Sequence, residues 1–600
     1  MIDRIPSGFH PFVIPFLFGM AFVLSYCLYA LVKILLQLSS EDRKKLFMSL
    51  LNPKIAAKNI RDLFCDCLFH VKLWKRNPLL GYMHSSIAFG WFMLIVLGHI
   101  EVLLFVPTRI NLFYYPIFFN YFVAEVDQTV KGSFLCFLMD FFLLVVMSGI
   151  VLAMIKRVRS RLFGMRRTAR PSLVNTIGLY ALWAIFPLRW LAETMTAHIS
   201  GGSFLTIPGN WVFRQILGND LYYLPTWWLY SICLCVFMCV LPFSRYMHIP
   251  SEMLLIPMRN AGLKIRNARK GLARVEVYSC PNCGVCIDAC PMSVSKENIK
   301  DCTVYLTRQI RRNNERRIAE ISDKCLLCGK CEAVCQVGVQ GPEIRIQQRA
   351  IRDYKIRQDY SDIDVTPMTG ASVLYFSGCM SQLTPKIGRS VVSVMKKAGV
   401  EVNWMDRDGG LCCGRPMLTA GRSEEAMAMV RKNEKLILDS GAETLVVSCP
   451  ICYRMFNENY DLPGVRVVHY SVYFDELVKS GRLRLAKSDI CYVYHDPCEL
   501  GRGCGIYDEP RRLIGQAAYI SEAAKNRKES VCCGGSLGSL SLSFRQREKI
   551  TRASLENLCA APSDAIATAC PLCQATLSRY SDRPVRDIAE IIDRQIVVDK

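Results

Sequence analysis

The sequence predicts a multidomain chain in which an all-α, membrane-spanning part precedes a helical module and two α/β repeats. Apolar stretches are concentrated before about residue 245 and raise the mean hydropathy to +0.20. Two cysteine runs of identical spacing follow, and then a second cysteine pattern occurs twice with an offset of about 120 residues. A length of 600 residues is sufficient for three or four domains of about 100 to 200 residues each.

We expect five segments with different compositions. They are a transmembrane domain at 1–250, a helical module at 251–341, a polar linker at 342–370, a first repeat at 371–485 and a second repeat at 486–600.

Five apolar stretches have the length of about 20 residues that a helix needs to cross a bilayer. They run from Pro11 to Leu38, Leu79 to Val106, Gly132 to Ile155, Leu173 to Ala197 and Leu221 to Phe243. The fourth is interrupted by Pro187, Arg189 and Glu193. The first is too long for a cleaved signal peptide, so it is interpreted as a retained helix.

The basic residues between these stretches predict the orientation. The loops after the first and third stretches carry Arg43, Lys44, Lys45, Lys72, Lys75, Arg76, Lys156, Arg157, Arg159, Arg161, Arg166, Arg167 and Arg170. The opposite loops carry little more than Arg109, Lys131 and Arg214. Under the positive-inside rule the chain is a multi-pass inner-membrane protein with its amino terminus outside and its later domains cytoplasmic. Basic loops beside anionic lipid account for the net charge of +22, and no nucleic-acid-binding motif is evident.

The first cysteine pattern, C-x-x-C-x-x-C-x-x-x-C, is typical of two cubane 4Fe–4S clusters, in which the fourth cysteine of each run binds the other cluster. The expected sets are Cys280, Cys283, Cys286 and Cys335 on one cluster, and Cys325, Cys328, Cys331 and Cys290 on the other. Zinc is the alternative, because C-x-x-C pairs also bind it tetrahedrally. Three thiols within seven residues, followed by a fourth cysteine, favour iron.

The second pattern places five cysteines in each repeat. They are Cys379, Cys412, Cys413, Cys449 and Cys452, and then Cys498, Cys532, Cys533, Cys570 and Cys573. Five thiolates exceed the need of a cubane, and adjacent cysteines cannot both bind one small tetrahedral ion without strain. A larger or opened cluster fits better, and a decayed repeat kept only for packing is the alternative.

Short apolar runs alternate with helical patterns in both repeats, as in α/β domains. The runs are Ser372 to Phe376, Thr444 to Val447, Cys491 to Tyr494 and Ala565 to Ala569, and Glu424 to Leu438 has a helical pattern. Each run ends at or just before a candidate ligand. The ligands are therefore expected at the carboxyl ends of strands, where open α/β sheets hold their sites.

The signature C-x(n)-C-C-G-x(n)-C-x-x-C resembles that of the heterodisulfide reductase family. The resemblance implies a noncubane 4Fe–4S cluster in each repeat, and it makes these ten cysteines candidate catalytic residues. His495 leads into the second repeat through His495-Asp496-Pro497-Cys498, and a hydrogen bond from it to sulfur is one of its possible roles.

Histidines in the apolar part are candidate haem ligands. His84 begins the second span and His248 ends the fifth, so both are expected at the cytoplasmic side, as the two axial ligands of a haem b require. His99 lies about 22 Å further along its helix, at the same outer side as His198. This pair is interpreted as ligands of a second haem, as the lining of a quinone pocket with Glu101, Glu193 and Asp140, or as simple loop histidines.

The segment Pro242-Phe243-Ser244-Arg245-Tyr246-Met247-His248 is similar to the end of helix five in the nitrate reductase gamma-subunit family, five-helix cytochromes b with two haems. That resemblance implies two further ligands at positions occupied here by Leu94 and Tyr230. The sequence departs from the family at both ligands of one haem.

The order of all parts resembles membrane iron–sulfur oxidoreductases proposed to accept electrons from electron-transfer flavoprotein, and also membrane heterodisulfide reductase and a membrane complex linked to sulfite reduction. It implies a chain that passes electrons between a cytoplasmic donor such as electron-transfer flavoprotein and the menaquinone pool. One alternative is a disulfide or thiol reductase coupled to quinol. Another is a non-enzymatic membrane scaffold that only holds metal.

Overall fold

The computed structural model describes residues 9–106, 113–169, 171–217, 223–352, 369–407 and 411–597. It consists of two compact units, Met1–Val285 and Cys286–Lys600, and each is described by itself. Arg109 and Arg170 of the orientation argument lie outside the described residues, as does Leu221 at the start of the fifth predicted span.

The first unit is helical throughout its described part. Its helices are α1 Val13–Gln37, α2 Ser40–Leu51, α3 Pro53–Asp62, α4 Val71–Arg76, α5 Pro78–Phe105, α6 Tyr115–Phe122, α7 Val130–Val158, α8 Leu173–Ser200, α9 Thr206–Leu217, α10 Tyr223–Val240, α11 His248–Asn260 and α12 Leu272–Ser279.

Four of these segments are long and apolar enough to cross a membrane: Val13–Gln37, Pro78–Phe105, Val130–Val158 and Leu224–Phe243. The remaining predicted span is one continuous helix, α8, of 28 residues. It is less apolar than the other four because Arg189 and Glu193 lie on it, and these two side chains form a buried ion pair of 2.8 Å. By length and composition the structure therefore supports four spans and one long helix with a polar interior.

Helices α5 and α7 approach closely because small residues lie between them. A Cβ atom on Gly90 of α5 would lie 2.6 Å from a side-chain carbon of Val146, and one on Gly149 of α7 would lie 2.2 Å from the Ser86 hydroxyl. Small residues at such contacts are typical of helix pairs in membranes, where dispersion contacts replace the hydrophobic effect as the driving force.

The second unit contains a helical module followed by two α/β repeats. Its helices are α13 Val285–Ala289, α14 Thr303–Arg311, α15 Glu315–Lys324, α16 Lys330–Ala333, α17 Gly341–Ala350, α18 Pro385–Lys397, α19 Arg415–Ala420, α20 Ser423–Asp439, α21 Pro450–Asn459, α22 Tyr470–Lys479, α23 Asp508–Ala517, α24 Phe544–Cys559, α25 Pro571–Ser578 and α26 Ile588–Gln595. Helix α13 begins at the last residue of the first unit.

Each repeat is built on a four-stranded parallel sheet, which confirms the predicted α/β architecture. The strands are β1 Val373–Phe376, β2 Val402–Trp404, β3 Thr444–Val447, β4 Arg466–His469, β5 Cys491–His495, β6 Tyr519–Ser521, β7 Ala565–Thr568 and β8 Val585–Asp587. The orders are β2-β1-β3-β4 and β6-β5-β7-β8. The four predicted apolar runs are the two central strands of each sheet, β1 with β3 and β5 with β7. Central strands are buried on both faces and so have nearly continuous apolar sequences.

The two repeats share one hydrophobic core, which includes Val391 of the first repeat and Ile588 of the second. Polar contacts also join them. The hydroxyl of Tyr470 donates a 2.6 Å hydrogen bond to the Asp587 carboxylate, and the Ser393 hydroxyl donates to Asp593 at 2.7 Å.

The start of the predicted linker, 342–370, is helical and packs on its neighbours. Helix α17 occupies Gly341–Ala350, and its Ile344, Arg345 and Arg349 are buried. Arg349 donates hydrogen bonds both to the Ser322 carbonyl of the helical module and to the Thr419 carbonyl of the first repeat. Residues 353–368 of the predicted linker lie outside the described residues.

Raising the pH is expected to destabilise the pair of repeats through Asp587. Burial raises the pKa of this carboxyl from 3.8 to about 7. Because the native state then keeps a proton that the unfolded state has lost, the stabilisation is complete below about pH 4 and is lost as the pH rises to about 7. We expect the thermal midpoint of the detergent-purified protein to fall between about pH 5 and pH 7.5, and to fall less in Asp587→Asn. Equal falls in both proteins would contradict this assignment.

Candidate functional site

The strand ends position the ten cysteines of the repeats. Strand β1 ends three residues before Cys379 and β3 ends two residues before Cys449, and β5 and β7 stand in the same way before Cys498 and Cys570. In each sheet these two strands are adjacent and parallel. Their carboxyl ends therefore bring cysteines that are far apart in sequence to one edge of the sheet.

The first nest is the set Cys379, Cys412, Cys413, Cys449 and Cys452. Each thiol acts on the pKa of its neighbour, and these neighbours are Cys379 with Cys412, Cys412 with Cys413, Cys413 with Cys452, and Cys452 with Cys449. Four of the five are buried, whereas Cys379 is exposed. The structure therefore brings all five predicted ligands together and leaves one of them accessible to solvent.

The second nest is the set Cys498, Cys532, Cys533, Cys570 and Cys573. Here Cys532 contacts Cys498 and Cys533, and Cys573 contacts Cys533 and Cys570. No disulfide joins any of the cysteines, all of which lie in the described part of the chain. Both nests therefore present free thiols to a common centre.

The second cysteine of each adjacent pair has a lowered thiol pKa, which favours metal binding. Hydrogen bonds from Cys412 and Cys452 lower the pKa of Cys413 to about 6. Hydrogen bonds from Cys532 and Cys573 lower the pKa of Cys533 well below its usual value. Since the thiolate is the form that binds metal, each nest contains one preformed ligand surrounded by thiol donors.

A glycine after each adjacent pair is required by the backbone. Gly414 and Gly534 have φ of 83° and 86°, which side chains other than glycine adopt at a cost. A Cβ atom on Gly534 would also lie 2.9 Å from the Thr551 hydroxyl, which itself donates to the Cys533 carbonyl at 2.8 Å. The glycine thus permits the turn that directs both neighbouring sulfurs inward.

The helical module brings together one of its two predicted ligand sets. Cys290, Cys325 and Cys328 lie within electrostatic range of one another, and Cys331 lies close to Cys325 and Cys328. Burial raises the pKa of the Cys331 thiol to about 12, so metal binding must supply the free energy of its ionisation.

The other predicted set is divided between the two units. Cys280 and Cys283 are neighbours in Met1–Val285, whereas Cys286 and Cys335 belong to Cys286–Lys600. Both cysteine runs share an unusual backbone, because the residues before the second cysteine, Asn282 and Leu327, have φ of 53° and 55°. Left-handed conformations at such residues are typical of functional loops.

Arg345 supplies positive charge beside the complete set. Its side chain is 1% exposed, and it donates to the Thr303 hydroxyl and to the carbonyls of Asp301 and Gly341, none of which carries charge. The cysteines Cys325 and Cys331 are the charged-state partners that raise the pKa of this guanidinium most strongly. A buried guanidinium is costly without a counter-charge, and a metal–thiolate cluster provides one. The residues therefore fit a cluster at this set.

The module contacts the second nest directly, which the sequence did not predict. A hydrogen bond from Cys532 lowers the pKa of Cys328 to about 6. The Arg502 guanidinium donates to the Cys328 carbonyl at 2.7 Å and lies within electrostatic range of Cys498 and Cys532. A ligand of the module and a ligand of the repeat are therefore neighbours.

The backbones around this contact are also tightly packed. The Ser536 hydroxyl donates to the Leu326 carbonyl at 2.6 Å. A Cβ atom on Gly538 would lie 2.6 Å from the same carbonyl oxygen. Met292, Leu326 and Cys532 belong to one buried cluster, which excludes water from the space between the two ligand sets.

A small cavity lies at the second nest and is bounded on one side by the first repeat. It is lined by Ile451 of the first repeat and by Pro497, Cys498, Glu499, Cys533, Ser536, Cys570, Leu572 and Cys573 of the second. Its volume of about 20 Å³ accommodates about one water molecule.

His84 and His248 of the first unit lie within electrostatic range of each other. The Nδ1 atom of His248 is hydrogen-bonded to the Arg245 carbonyl at 2.7 Å, which directs its Nε2 atom toward the role of metal ligand. The sequence interpretation overlooked His70, whose ring centroid lies 5.4 Å from that of His84. Its left-handed φ of 49° positions this ring, and sequence spacing carries no signal for it.

Two basic side chains lie near Cys283, and one of them also lies near His84. Lys156 and Arg76 lie within electrostatic range of Cys283, and Lys156 lies within the same range of His84. Gly284 contacts the segment before α8, since a Cβ atom there would lie 2.8 Å from the Ala169 nitrogen. The Cys283 loop is therefore held near His84.

His99 and His198 are both exposed. The Nδ1 atom of His99 is bonded to the Ile95 carbonyl of its own helix at 2.7 Å, and that of His198 lies 3.2 Å from the Asn210 amide. His198 also lines an open cavity of about 930 Å³ together with Asn210, Trp211 and Arg214. The described contacts do not join the two histidines.

The acidic residues expected near this pair have different environments. Asp140 accepts hydrogen bonds from the Thr206 hydroxyl and from the amides of Leu205 and Thr206, so it stabilises the start of α9. Glu193 is paired with Arg189. Glu101 is 1% exposed, and among the described residues its Oε2 atom has no hydrogen-bond partner.

Two domain families match the chain. The family described as "Cysteine-rich domain" matches residues 373–457 and 492–578, and the family described as "4Fe-4S dicluster domain" matches residues 275–339. These ranges contain all ten nest cysteines and all eight cysteines of the helical module, which the sequence assigned to iron–sulfur clusters.

Curated relatives are similar over about half of the chain. A component of the fumarate reductase (CoM/CoB) of Methanothermobacter marburgensis is 25% identical over 56% of this chain and 78% of its own length. A component of the dihydromethanophenazine:CoB–CoM heterodisulfide reductase of Methanosarcina acetivorans is 23% identical over 54% of this chain and 93% of its own. The EtfAB:quinone oxidoreductase of Syntrophomonas wolfei is 24% identical over 53% and 46%, respectively.

Arg345→Met is expected to lower the reduction potential of the cluster at Cys325, Cys328, Cys331 and Cys290. The methionine keeps most of the packing volume but removes the positive charge that stabilises the reduced, more negative cluster. A potentiometric titration followed by electron paramagnetic resonance measures the shift. Arg352→Met is the matched control, because Arg352 lies on the same segment and is paired with Asp323. An unchanged potential in Arg345→Met at full iron content would refute this role.

Proposed function

We propose that this chain, an iron–sulfur oxidoreductase related to heterodisulfide reductase, carries electrons between a cytoplasmic donor and the quinone pool. Its four apolar helices associate it with a membrane. The two cubane clusters, the two noncubane clusters and a haem b supply one-electron transfer when they are bound. The protein holds these centres in a spatial row and excludes water from the space between them.

The contact between the helical module and the second nest carries this proposal. Cys328 and Cys532 are neighbours, and Arg502 lies beside both. A ligand of a ferredoxin-type cluster beside a ligand of the repeat gives a short, non-covalent connection between two metal centres. A scaffold has no need for such a contact, whereas electron transfer does.

The two nests are also close to each other. Cys449 of the first nest lies within electrostatic range of Cys570 of the second. Leu572 packs against the hydrophobic cluster that includes Cys413, Cys449 and Cys452. The proposed order is therefore first nest, second nest and then the cluster at Cys325, Cys328, Cys331 and Cys290. Since Cys379 is exposed, the first nest is the end that a soluble donor reaches.

The membrane end of the path is proposed to begin at Cys280 and Cys283, with Cys286 and Cys335 completing their cluster. His84 and His248 are the proposed axial ligands of a haem b, supported by their proximity and by the hydrogen bond that orients His248. Lys156 lies within range of both Cys283 and His84, and its charge favours electron transfer between them.

Menaquinone is the proposed acceptor in the membrane. Of the roles considered for the outer pair, the quinone pocket is favoured for His198, because it lines the 930 Å³ cavity with Asn210 and Arg214. A second haem held by His99 and His198 is the less favoured alternative, since both side chains are exposed. The proposed orientation keeps the amino terminus outside and the metal centres in the cytoplasm.

Electron-transfer flavoprotein is the proposed donor. One relative is named EtfAB:quinone oxidoreductase, and it shares the similarity over about half of this chain. Disulfide reduction is the second candidate, favoured by the relative named for heterodisulfide reductase and by the exposed Cys379.

Reduction of the reconstituted protein by competing donors tests this function. The chain, with its metal content measured, is placed in lipid nanodiscs containing a menaquinone analogue. One sample receives reduced electron-transfer flavoprotein, which an acyl-CoA dehydrogenase and its substrate regenerate. A parallel sample receives dithiols instead. We expect haem reduction and quinol formation with the flavoprotein. Reduction by dithiols alone would establish the disulfide reductase instead, and a preparation without haem or iron would leave only the scaffold.

His248→Ala is expected to abolish the visible spectrum of the cytoplasmic-side haem and to stop quinol formation, while the iron–sulfur signals remain. The substitution removes one axial nitrogen, and a five-coordinate haem b on the remaining histidine is held weakly. Optical difference spectra and haem extraction measure the loss. His99→Ala serves as the matched control and is expected to retain this haem; an unaltered spectrum in His248→Ala would disprove the ligand assignment.

A further inference from the structure

The two nests differ at one position that faces their sulfurs. When Cys379 is aligned with Cys498, the residue three positions earlier is Phe376 in the first repeat and His495 in the second. Both are the last residues of the equivalent strands β1 and β5. The fold therefore offers the same site in both repeats, but only the second repeat places a hydrogen-bonding side chain there.

His495 lies against the sulfurs of the second nest. One of its ring nitrogens is within 4.8 Å of the Sγ atoms of both Cys533 and Cys573. The side chain is 2% exposed, and among the described residues its Nε2 atom meets no strict hydrogen-bond geometry; the group with which its ring interacts is the Cys533 thiol. Buried polar atoms are rarely left without a hydrogen-bond partner, so a partner is expected at this position.

A second buried histidine shows the usual alternative. His469 ends strand β4 of the first repeat and is 0% exposed. Its Nδ1 atom is bonded to the Ser471 hydroxyl at 2.8 Å and its Nε2 atom to the Ser448 carbonyl at 3.2 Å. Protein atoms therefore satisfy both nitrogens of His469. The Nε2 atom of His495 instead lies beside cysteine sulfurs.

The first nest has no corresponding donor at the position of Phe376, the described residue that replaces His495. Phe376 is fully buried, and its ring packs edge-to-face on Phe456 at 5.1 Å. An aromatic ring excludes water from the sulfurs but donates no hydrogen bond to them. The two nests have the same cysteines but differ in the polarity of this wall.

We propose that His495 donates a hydrogen bond to a sulfur of the cluster in the second nest and so gives this cluster a higher reduction potential than the cluster of the first nest. The proposal rests on the proposed function, because it requires a cluster in each nest. A hydrogen bond to cluster sulfur stabilises the added electron, whereas the apolar wall of Phe376 does not. His495 acts on the reduction potential of the cluster through this hydrogen bond, and it forms no bond with the soluble electron donor.

The consequence is a direction of electron transfer between two clusters with equal cysteine ligands. An electron that arrives at the exposed first nest moves to the second nest, where His495 stabilises it, next to Cys328 of the module. Only the electron moves in this step: the first cluster is oxidised by one electron and the second is reduced by one, and no bond of the protein is broken.

The test is a potentiometric titration of the metal-loaded full chain, followed by electron paramagnetic resonance, in four variants. His495→Phe reproduces the wall of the first nest and is expected to lower the potential of one of the two noncubane signals, so that the two converge. His495→Gln retains an N–H donor and is expected to restore part of the difference. Phe376→His introduces the donor in the first nest and is expected to raise the other signal.

His469→Phe is the fourth variant and the matched control, because it removes a buried histidine that has protein partners for both nitrogens. It is expected to leave both potentials unchanged, whatever it does to stability. Iron and sulfide are measured in every variant, so that the potentials are compared at equal cluster content.

The outcomes separate this inference from the proposed function. Unchanged noncubane potentials in His495→Phe at full iron content would overturn the inference alone, since electron transfer to quinone does not depend on it. An equal shift in His469→Phe would overturn it as well, because the effect would then be a general loss of packing. If the wild-type nests bind no iron, the inference and the proposed function both fail.

Discussion

The burial of thiolates at the carboxyl ends of parallel strands is the constraint on which the second unit depends. A buried thiolate is stable only when hydrogen bonds and cations compensate its charge. The chain supplies these from Arg345 and Arg502, from neighbouring thiols, and from glycines that allow the backbone to turn. Ten cysteines on two small sheets would otherwise repel one another on ionisation. Bound metal is the counter-charge that makes their proximity favourable.

Duplication solves a second problem, which is to bring several metal sites into one row. The two repeats pack through a common core and through Tyr470 and Asp587, so their nests face one another. The helical module then docks on the second repeat through Arg502 and Ser536. Helix α17 joins this module to the first repeat, because Arg349 donates a hydrogen bond to the Thr419 carbonyl. Equivalent cysteines in the two repeats thus have different neighbours. In the inference above, these different surroundings give similar clusters different reduction potentials, and that difference sets the direction of electron transfer.

The first unit combines an apolar exterior with buried polar groups. Arg189 and Glu193 neutralise each other on α8, so the helix retains charged side chains without exposing them to lipid. Among the described residues, the Oε2 atom of Glu101 has no hydrogen-bond partner. At the other end, His70, His84, His248 and Lys156 gather near Cys283. Polar groups are thus concentrated at two levels of this unit.

Sequence alone determined the ligand types, the repeats and the central strands, because these depend on spacing within short segments. C-x-x-C geometry, strand periodicity and apolar length are local properties, so Cys325 to Cys335, β1, β3, β5 and β7 were predictable. Tertiary structure alone decided the contact of Cys328 with Cys532, the proximity of the His70 and His84 rings, the burial of Arg345 in helix α17, and the difference between Phe376 and His495 at the two nests. These pairs are separated by tens to hundreds of residues or depend on a special backbone angle. Their proximity results from the packing of whole elements, which no local pattern encodes.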